Sequence, residues 1–426
     1  MSTEITAGHA ALFAIIAASI VLMLVRPRGI AEVWWVGAGA CLLVLLRLEP
    51  LGQAVRAMAK GSDVYAFLAG MMLISQLAQR LGVFDWLSAW AVRAANQSCS
   101  RLFTILYGVG TLVTVFMSND ATAVVLTPAV LFAVRKAKVA PLAHLFVCAL
   151  IANAASFVLP ISNPANLVVF GSGMPTLGSW LVAFSLPSVL SIIVTYVALR
   201  VHFRRELRLR FAYEAEEVPL TSGGKGVLAG LALLAIVLLF AAAQGVDLGL
   251  PTLLASVAVT GLVCLRAKLN PFVMLRDISW STLLLVSALF VLVDAAGGAG
   301  VLGWAAGSLK FAETLPASVS PFLTSFVVGV GNNLVNNLPL GLVASAAIRA
   351  AHPSPILTQS VLIGVDLGPN LSITGSLATI LWLIALRKEG VEVRFLDFLK
   401  IGIVVMPLAL LAAVSGLVIT HALAGR

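Results

Sequence analysis

The sequence predicts an all-α, polytopic membrane protein built from two related halves. Hydrophobic residues make up 60% of the 426 residues and charged ones 11%, whereas a soluble globular domain carries about 25% charged residues. Apolar runs of bilayer-spanning length recur at residues 10–25, 33–46, 227–243, 251–265, 282–293 with its flanks, and 401–423. Dense polar clusters also interrupt apolar sequence at matching places in the two halves, and amides or carboxylates without water or a partner are costly at such depth.

The elements follow in order. No Lys or Arg precedes 10–25, and no small-residue cleavage site follows before Arg26-Pro27-Arg28, so this run is expected to be the first span, not a cleaved signal. The longest polar segment, 200–225, holds Arg200, Arg204, Arg205, Arg208 and Arg210, then Glu214, Glu216 and Glu217. It is expected to be a cytoplasmic linker between a membrane half at 1–199 and another at 226–426. The formal charge of +9 sits in short segments beside apolar runs, the pattern of loops retained in the cytoplasm and not of a nucleic-acid surface. After the linker, 227–243 leads to a loop with Asp247 and no basic residue, and the next span returns to Arg266, Lys268 and Arg276. That alternation is consistent. In the first half Arg26/Arg28 and Arg47/Arg56/Lys60 are both basic yet should face opposite sides.

The halves repeat a pattern at an offset of ~210–217 residues, as duplicated transporter halves do. Asp63-Val64-Tyr65 and Asp277-Ile278-Ser279-Trp280 each precede an apolar run. Asn119-Asp120 and Asn336-Asn337 are each followed by a proline and an apolar helix. Residues 151–170 (IANAASFVLPISNPANLVVF) parallel 363–382 (IGVDLGPNLSITGSLATILW).

Four places should break their helices at membrane depth. They are Ser118-Asn119-Asp120, Asn336-Asn337-Leu338-Pro339, the stretch from Pro160 to Asn166, and the stretch from Asp366 to Ser376. Pro164 and Pro369 lack an N–H and oppose helix at the preceding residue. Unwinding frees carbonyls and half-helix N-termini, which Asn, Ser and Thr can cap while lining a cavity. Paired breaks in two halves point to a transporter site near the midplane.

Most acidic residues, including Glu49, Asp63, Asp247 and Asp277, lie near loops or span ends and are expected to mark boundaries. Asp120 and Asp366 lie inside broken segments, and Asp294 ends an apolar run before a Gly-rich turn. A carboxylate in a low-dielectric site can take up and release a proton near neutral pH, which a proton-coupled carrier needs. His144 follows a basic loop and is expected at the interface. No Lys or Arg falls in the four breaks, so a neutral polyhydroxy solute or a cation suits them better than a dicarboxylate or phosphate. The cysteines (Cys41, Cys99, Cys148, Cys264) are far apart, form no C-x-x-C pattern and suggest no thiolate metal site. No His-Glu-x-x-His, nucleophile elbow or clustered Ser/His/Asp set suggests an enzyme, and nothing calls for a cofactor.

These residues resemble the ion-transporter superfamily, whose halves each carry a re-entrant hairpin and a discontinuous helix in inverted repeat. Ser118-Asn119-Asp120-Ala121-Thr122-Ala123 with Leu126-Thr127-Pro128 is similar to the Ser-Asn-Thr hairpin tip of its carboxylate transporters, with Asp replacing Thr. Asn336-Asn337-Leu338-Pro339 resembles the second tip. Residues 364–390 (GVDLGPNLSITGSLATILWLIALRKEG) are very similar to the bacterial arsenite-efflux permeases of the ArsB family. That resemblance implies an inner-membrane exporter of arsenite and antimonite working by exchange for protons, in some cases with a soluble ATPase partner; the sequence leaves open whether the chain forms a homo-oligomer. Trivalent arsenic is largely uncharged As(OH)3 at neutral pH, in keeping with breaks that lack basic residues. It implies Ser118, Asn119, Asn336 and Asn337 as substrate-binding tip residues, with Asn163, Asn166, Asn370 and Thr374 on the unwound helices. Proton coupling would fall to Asp120 and Asp366, although the first unwound helix, Ser162-Asn163-Pro164-Ala165-Asn166, carries no carboxylate matching Asp366. A sodium/proton antiporter or carboxylate carrier on the same scaffold is the alternative.

Overall fold

The computed structural model describes residues 2–211 and 218–424, and they are all helix and connection, with no strands among them. The first half runs α1 (Ser2–Val25), α2 (Glu32–Leu45), α3 (Leu51–Lys60), α4 (Ser62–Arg80), α5 (Val83–Ala94), α6 (Cys99–Phe116), α7 (Asn119–Ala121), α8 (Thr127–Lys136), α9 (Leu142–Ala154), α10 (Pro164–Phe170) and α11 (Leu177–His202). The second half runs α12 (Ser222–Ala243), α13 (Gly249–Ala267), α14 (Pro271–Asp277), α15 (Trp280–Gly298), α16 (Val301–Glu313), α17 (Ser320–Val335), α18 (Asn337–Ala351), α19 (Pro355–Leu367), α20 (Leu377–Lys388) and α21 (Phe395–Ala424). Both margins of the expected 200–225 linker are therefore helical. Residues 212–217, which hold Glu214, Glu216 and Glu217, lie outside the described residues.

Among the described residues, seven helices are long and apolar enough to cross a membrane, or eight if α3 and α4, bent by 50°, count as one. The run at 33–46 does not become a full span. Its helix α2 has 14 residues, about 21 Å at 1.5 Å per residue, against a hydrocarbon core of ~30 Å.

The halves are interleaved. Helix α4 packs along α13, α2 along α15, and α11 along α21. Small residues permit these approaches, since a Cβ on Gly70 of α4 would lie 2.8 Å from the Thr252 carbonyl oxygen of α13. Asp63, expected only to mark a boundary, caps α13 across the halves: the Gly249 N–H donates to its Oδ1 at 2.7 Å. Lys60 Nζ donates to Asp294 Oδ1 at 2.7 Å. That ion pair offsets one of the three charges in the second basic segment, the lysine being paired with the end of α15.

The order helix, tip, helix, helix, unwound segment, half-helix occurs twice, in α6 to α10 and again in α17 to α20. These two sets form the centre of the molecule, and each break predicted from the sequence is a break in the structure.

Candidate functional site

Each hairpin tip is held by its own side chains. Helix α6 ends at Phe116, and Ser118 Oγ accepts from the Ala121 N–H at 3.3 Å to cap the next turn. A π-helical turn at Thr122–Leu126 follows, and Thr122 Oγ1 meets Thr114 Oγ1 of α6 at 2.8 Å, joining the two arms. At the second tip Asn336 takes φ 76°, a positive angle that asparagine adopts more readily than bulkier residues. Its Oδ1 accepts from the Leu338 N–H at 3.4 Å, and its Nδ2 donates to the Thr374 carbonyl at 3.2 Å.

The two helices expected to unwind do so. Between α9 and α10 the chain forms a 3₁₀ turn at Pro160–Ser162, and Asn163 Oδ1 caps α10 by accepting from the Ala165 N–H at 3.0 Å. Between α19 and α20 two 3₁₀ turns, Gly368–Asn370 and Ile373–Gly375, end at Ser376, which caps α20 through the Thr379 N–H. Carbonyls freed this far from water need donors, and asparagine amides supply them. Asn166 Nδ2 serves the carbonyls of Ser156, Pro160 and Leu159 at 2.9, 3.2 and 3.3 Å. Asn332 Nδ2 serves Gly364 and Val365, both at 2.9 Å. Asn333 Nδ2 serves Gly368 at 3.0 Å, and Asn370 Nδ2 serves Leu150 at 3.0 Å. Two side-chain pairs then lock one broken helix to the other: Asn153 Nδ2, in the last turn of α9, donates to Asn370 Oδ1 at 3.0 Å, and Asn163 Nδ2 to Oδ1 of Asp366, in the last turn of α19, at 2.7 Å.

Where tips and half-helices converge there are two connected cavities, sharing Leu68, Asp120, Pro164 and Thr282 in their walls. The smaller, of about 10 Å³, adds Asn119, Asn163 and Asn337. The larger, of about 150 Å³, adds Ser118, Ser75, Gln76 and Ser279 among apolar residues such as Met71, Met72 and Leu381. Asp120 is the one ionisable side chain in either wall, and no hydrogen bond or ion pair engages it among the described residues. The site thus offers amides, hydroxyls and a single carboxylate, and no cation.

Of the residues expected at the site, the fold brings Ser118, Asn119, Asp120, Asn163 and Asn337 to the cavity wall. Asn166, Asn336, Asn370 and Thr374 stand behind it, engaged with backbone or with one another. Thr374 Oγ1, for instance, donates to the Asn333 carbonyl at 3.0 Å. Asp366 is fully buried one amide back from the wall; its Oδ1 holds Asn163 and its Oδ2 has no partner among the described residues.

Sequence reasoning missed Ser75, Gln76, Ser279 and Thr282. Ser75-Gln76 did carry a signal, being a polar pair inside the apolar run of α4. It also misplaced His144, which is 1% exposed, with its ring edge-on to Phe103 at 6.4 Å rather than at the interface. Glu49 is not a mere boundary marker: it is 4% exposed with Oε1 unpartnered. Burial, then the nearby Asp294, push its carboxyl above the usual carboxylate range. Glu32, passed over in the sequence, is buried against Arg26, Oε1 to Nε at 3.1 Å. Among the described residues no group of three or more His, Cys, Asp or Glu is placed to hold a metal ion, and none of the four cysteines lines the cavities.

Comparison with known proteins agrees with this architecture. The family model for CitMHS, described as citrate transporter, matches residues 12–386. The arsenical pump membrane protein of Escherichia coli is 26% identical over 408 residues, covering 92% of this chain and 94% of its own. The protein of that name from Yersinia enterocolitica is 25% identical over 403 residues, covering 91% and 93%. Among solved structures, the YdaH transporter of Alcanivorax borkumensis superposes with a TM-score of 0.58 at 14% identity, over 87% of this chain and 88% of that one. At that identity the likeness speaks for the fold alone. The apolar helices and these relatives make this a multi-pass protein of the bacterial inner membrane, and the chain belongs to the CitMHS family of membrane transporters.

Proposed function

We propose that this transporter exports arsenite and antimonite as their neutral hydroxides in exchange for protons. The observation that carries the reading is the cavity wall, in which amides and hydroxyls surround one unpartnered carboxylate with no Lys, Arg or His. As(OH)3 presents only hydroxyls, which donate to and accept from Asn119, Asn163, Asn337 and Ser118 without any need for a counter-charge. Asp120 takes up a proton when the solute leaves and releases it when the solute binds. Asp366, behind Asn163, senses that exchange through their shared hydrogen bond. Asn166, Asn336, Asn370 and Thr374 act by holding the unwound backbone. The names of the E. coli and Yersinia relatives support the solute, and the twice-occurring hairpin and broken helix support two inverted repeats.

The family's citrate label favours a second reading, a carboxylate carrier. A polyanion would enter this cavity beside Asp120 with no cation to meet it, and like charges at short range in low dielectric repel strongly. Reconstitution into proteoliposomes decides between them. An imposed pH gradient should drive arsenite against its concentration gradient, and a sodium gradient should not. Sodium-driven citrate uptake without arsenite flux would overturn the proposal.

Thiols have no part in this scheme. Replacing Cys41, Cys99, Cys148 and Cys264 together by Ala should leave arsenite flux within about twofold of the parent, a change of ~0.4 kcal/mol. Loss of flux in a protein that elutes as a normal monodisperse peak would return soft-metalloid ligation by sulfur to consideration.

A further inference from the structure

The two ends of the helix bundle differ in charge. At one end Thr221, ahead of α12, donates to the Leu81 carbonyl just past α4, at 3.4 Å. There too Arg135 of α8 pairs with Glu389 beyond α20 at 3.6 Å, and the start of α6 lies against residues 209–211. At the other end are the Lys60–Asp294 pair, the Asp63 cap on α13, and His421 of α21 against Gln359 of α19 at 2.6 Å. Following each helix between these ends places Arg47, Arg56, Lys60, Lys310 and Arg349 at the second end, and the other described Lys and Arg at the first. Basic loops are retained in the cytoplasm, so the first end is cytoplasmic.

The larger cavity is displaced toward that end. Its wall climbs α4 from Leu68 through Met72 to Gln76, one turn short of Arg80. It also includes Ser279, at the break between α14 and α15 and just beyond Arg276. Exposure rises in the same direction: Leu68 is 3% and Thr282 7% exposed, Met72 and Gln76 are half-buried, and Ser279 is exposed. Toward the opposite end the site is shut. Helices α10 and α18 pack so closely that a Cβ on Gly341 would lie 3.3 Å from Val168 and 3.5 Å from Val169.

We infer that the larger cavity is a vestibule open to the cytoplasm, by which solute reaches Asp120, and that this conformation is the loading state of the transporter. Gln76 and Ser279 stand at its mouth. The sidedness rests on charge and packing alone. The identity of the solute, a small neutral hydroxylated molecule, and the assignment of this state to loading, which requires export, rest on the function proposed above.

Single cysteines at Gln76 and at Ser279, placed in the cysteine-free protein, test this with a membrane-impermeant maleimide. Both should be labelled in everted vesicles and spared in right-side-out ones, while Asp247→Cys, in the loop at the other end, shows the reverse. If the cysteine-free form does not fold, the wild-type background serves, since Cys99, Cys148 and Cys264 are buried and the unsubstituted protein gives the baseline. Labelling of Gln76→Cys and Ser279→Cys from the outside overturns the inference. So does labelling by a lipid-soluble maleimide alone, which would mark a cavity open sideways to the bilayer. No solute enters this readout, so correct labelling without arsenite flux would retain the vestibule and reject the solute.

Discussion

Asp120→Asn should abolish coupling, lowering pH-gradient-driven arsenite efflux by at least ~100-fold, a loss of ~2.7 kcal/mol in the driven step. The substitution is nearly isosteric, and no hydrogen bond or ion pair to Asp120 exists among the described residues to be lost. Folding is therefore spared, and the effect reports on the proton. Downhill movement of arsenite should persist, because the amides of Asn119, Asn163 and Asn337 remain. Asp366→Asn makes the useful contrast. Its amide oxygen can still accept from Asn163, as the carboxyl oxygen does at 2.7 Å, so the wall keeps its shape and only the capacity to exchange a proton is removed. That variant should also impair driven export. Proteoliposome flux at matched protein levels measures both; full pH-dependent activity in the two variants would remove proton exchange from these carboxylates.

Gly368→Ala should have the largest effect on stability, more than ~4 kcal/mol, which is the range of severe core disruption. Gly368 has an ordinary helical backbone, φ −52° and ψ −39°, so conformational freedom is not what it contributes. Space is. A Cβ there would press on the Gly329 carbonyl oxygen, and would lie 2.6 Å from Gly329 Cα and 2.5 Å from Asn332 Nδ2. Two of those neighbours are backbone of α17 and cannot rotate away. The third is the amide that serves the Gly364 and Val365 carbonyls, so pushing it aside leaves two buried acceptors bare, at roughly 1–3 kcal/mol each. Thermal unfolding in detergent, beside Gly261→Ala on a part of α13 with nothing within 4 Å of its added carbon, measures the difference. Equal melting of the two variants would mean that α17 yields at this crossing.

How much of this could be read in the chain follows from what each residue type can signal. A single proline does not decide, since Pro187 and Pro407 stay inside α11 and α21, but proline clustered with Gly, Asn and Ser breaks a helix, so the unwound segments at Pro164 and Pro369 were legible. Asparagine is ambiguous. The same amide can line a cavity, as that of Asn163 does, or replace water for stranded carbonyls, as that of Asn166 does, and nothing local in the sequence separates the two. Carboxylates beside loops were misjudged for a related reason. Glu49 lies beside Pro50 and two residues from Arg47, yet it is buried where α3 packs against α15. The polar pair Ser75-Gln76 carried a signal that went unused, and Thr282 was overlooked because a hydroxyl in the first turn of α15 reads as an ordinary helix start until another helix is placed opposite.

The separation between amides that face the cavity and amides that serve the backbone has an evolutionary consequence. Residues such as Asn332, Asn333 and Asn370 maintain the crossing of the broken helices whatever solute passes, while wall residues such as Asn119 and Asn337, unlike Asn163 with its cap on α10 and its bond to Asp366, can be exchanged without disturbing them. Selection can therefore retune cargo one side chain at a time, with little risk to the frame. This is a physical route by which one family could come to include proteins named for citrate and proteins named for arsenicals.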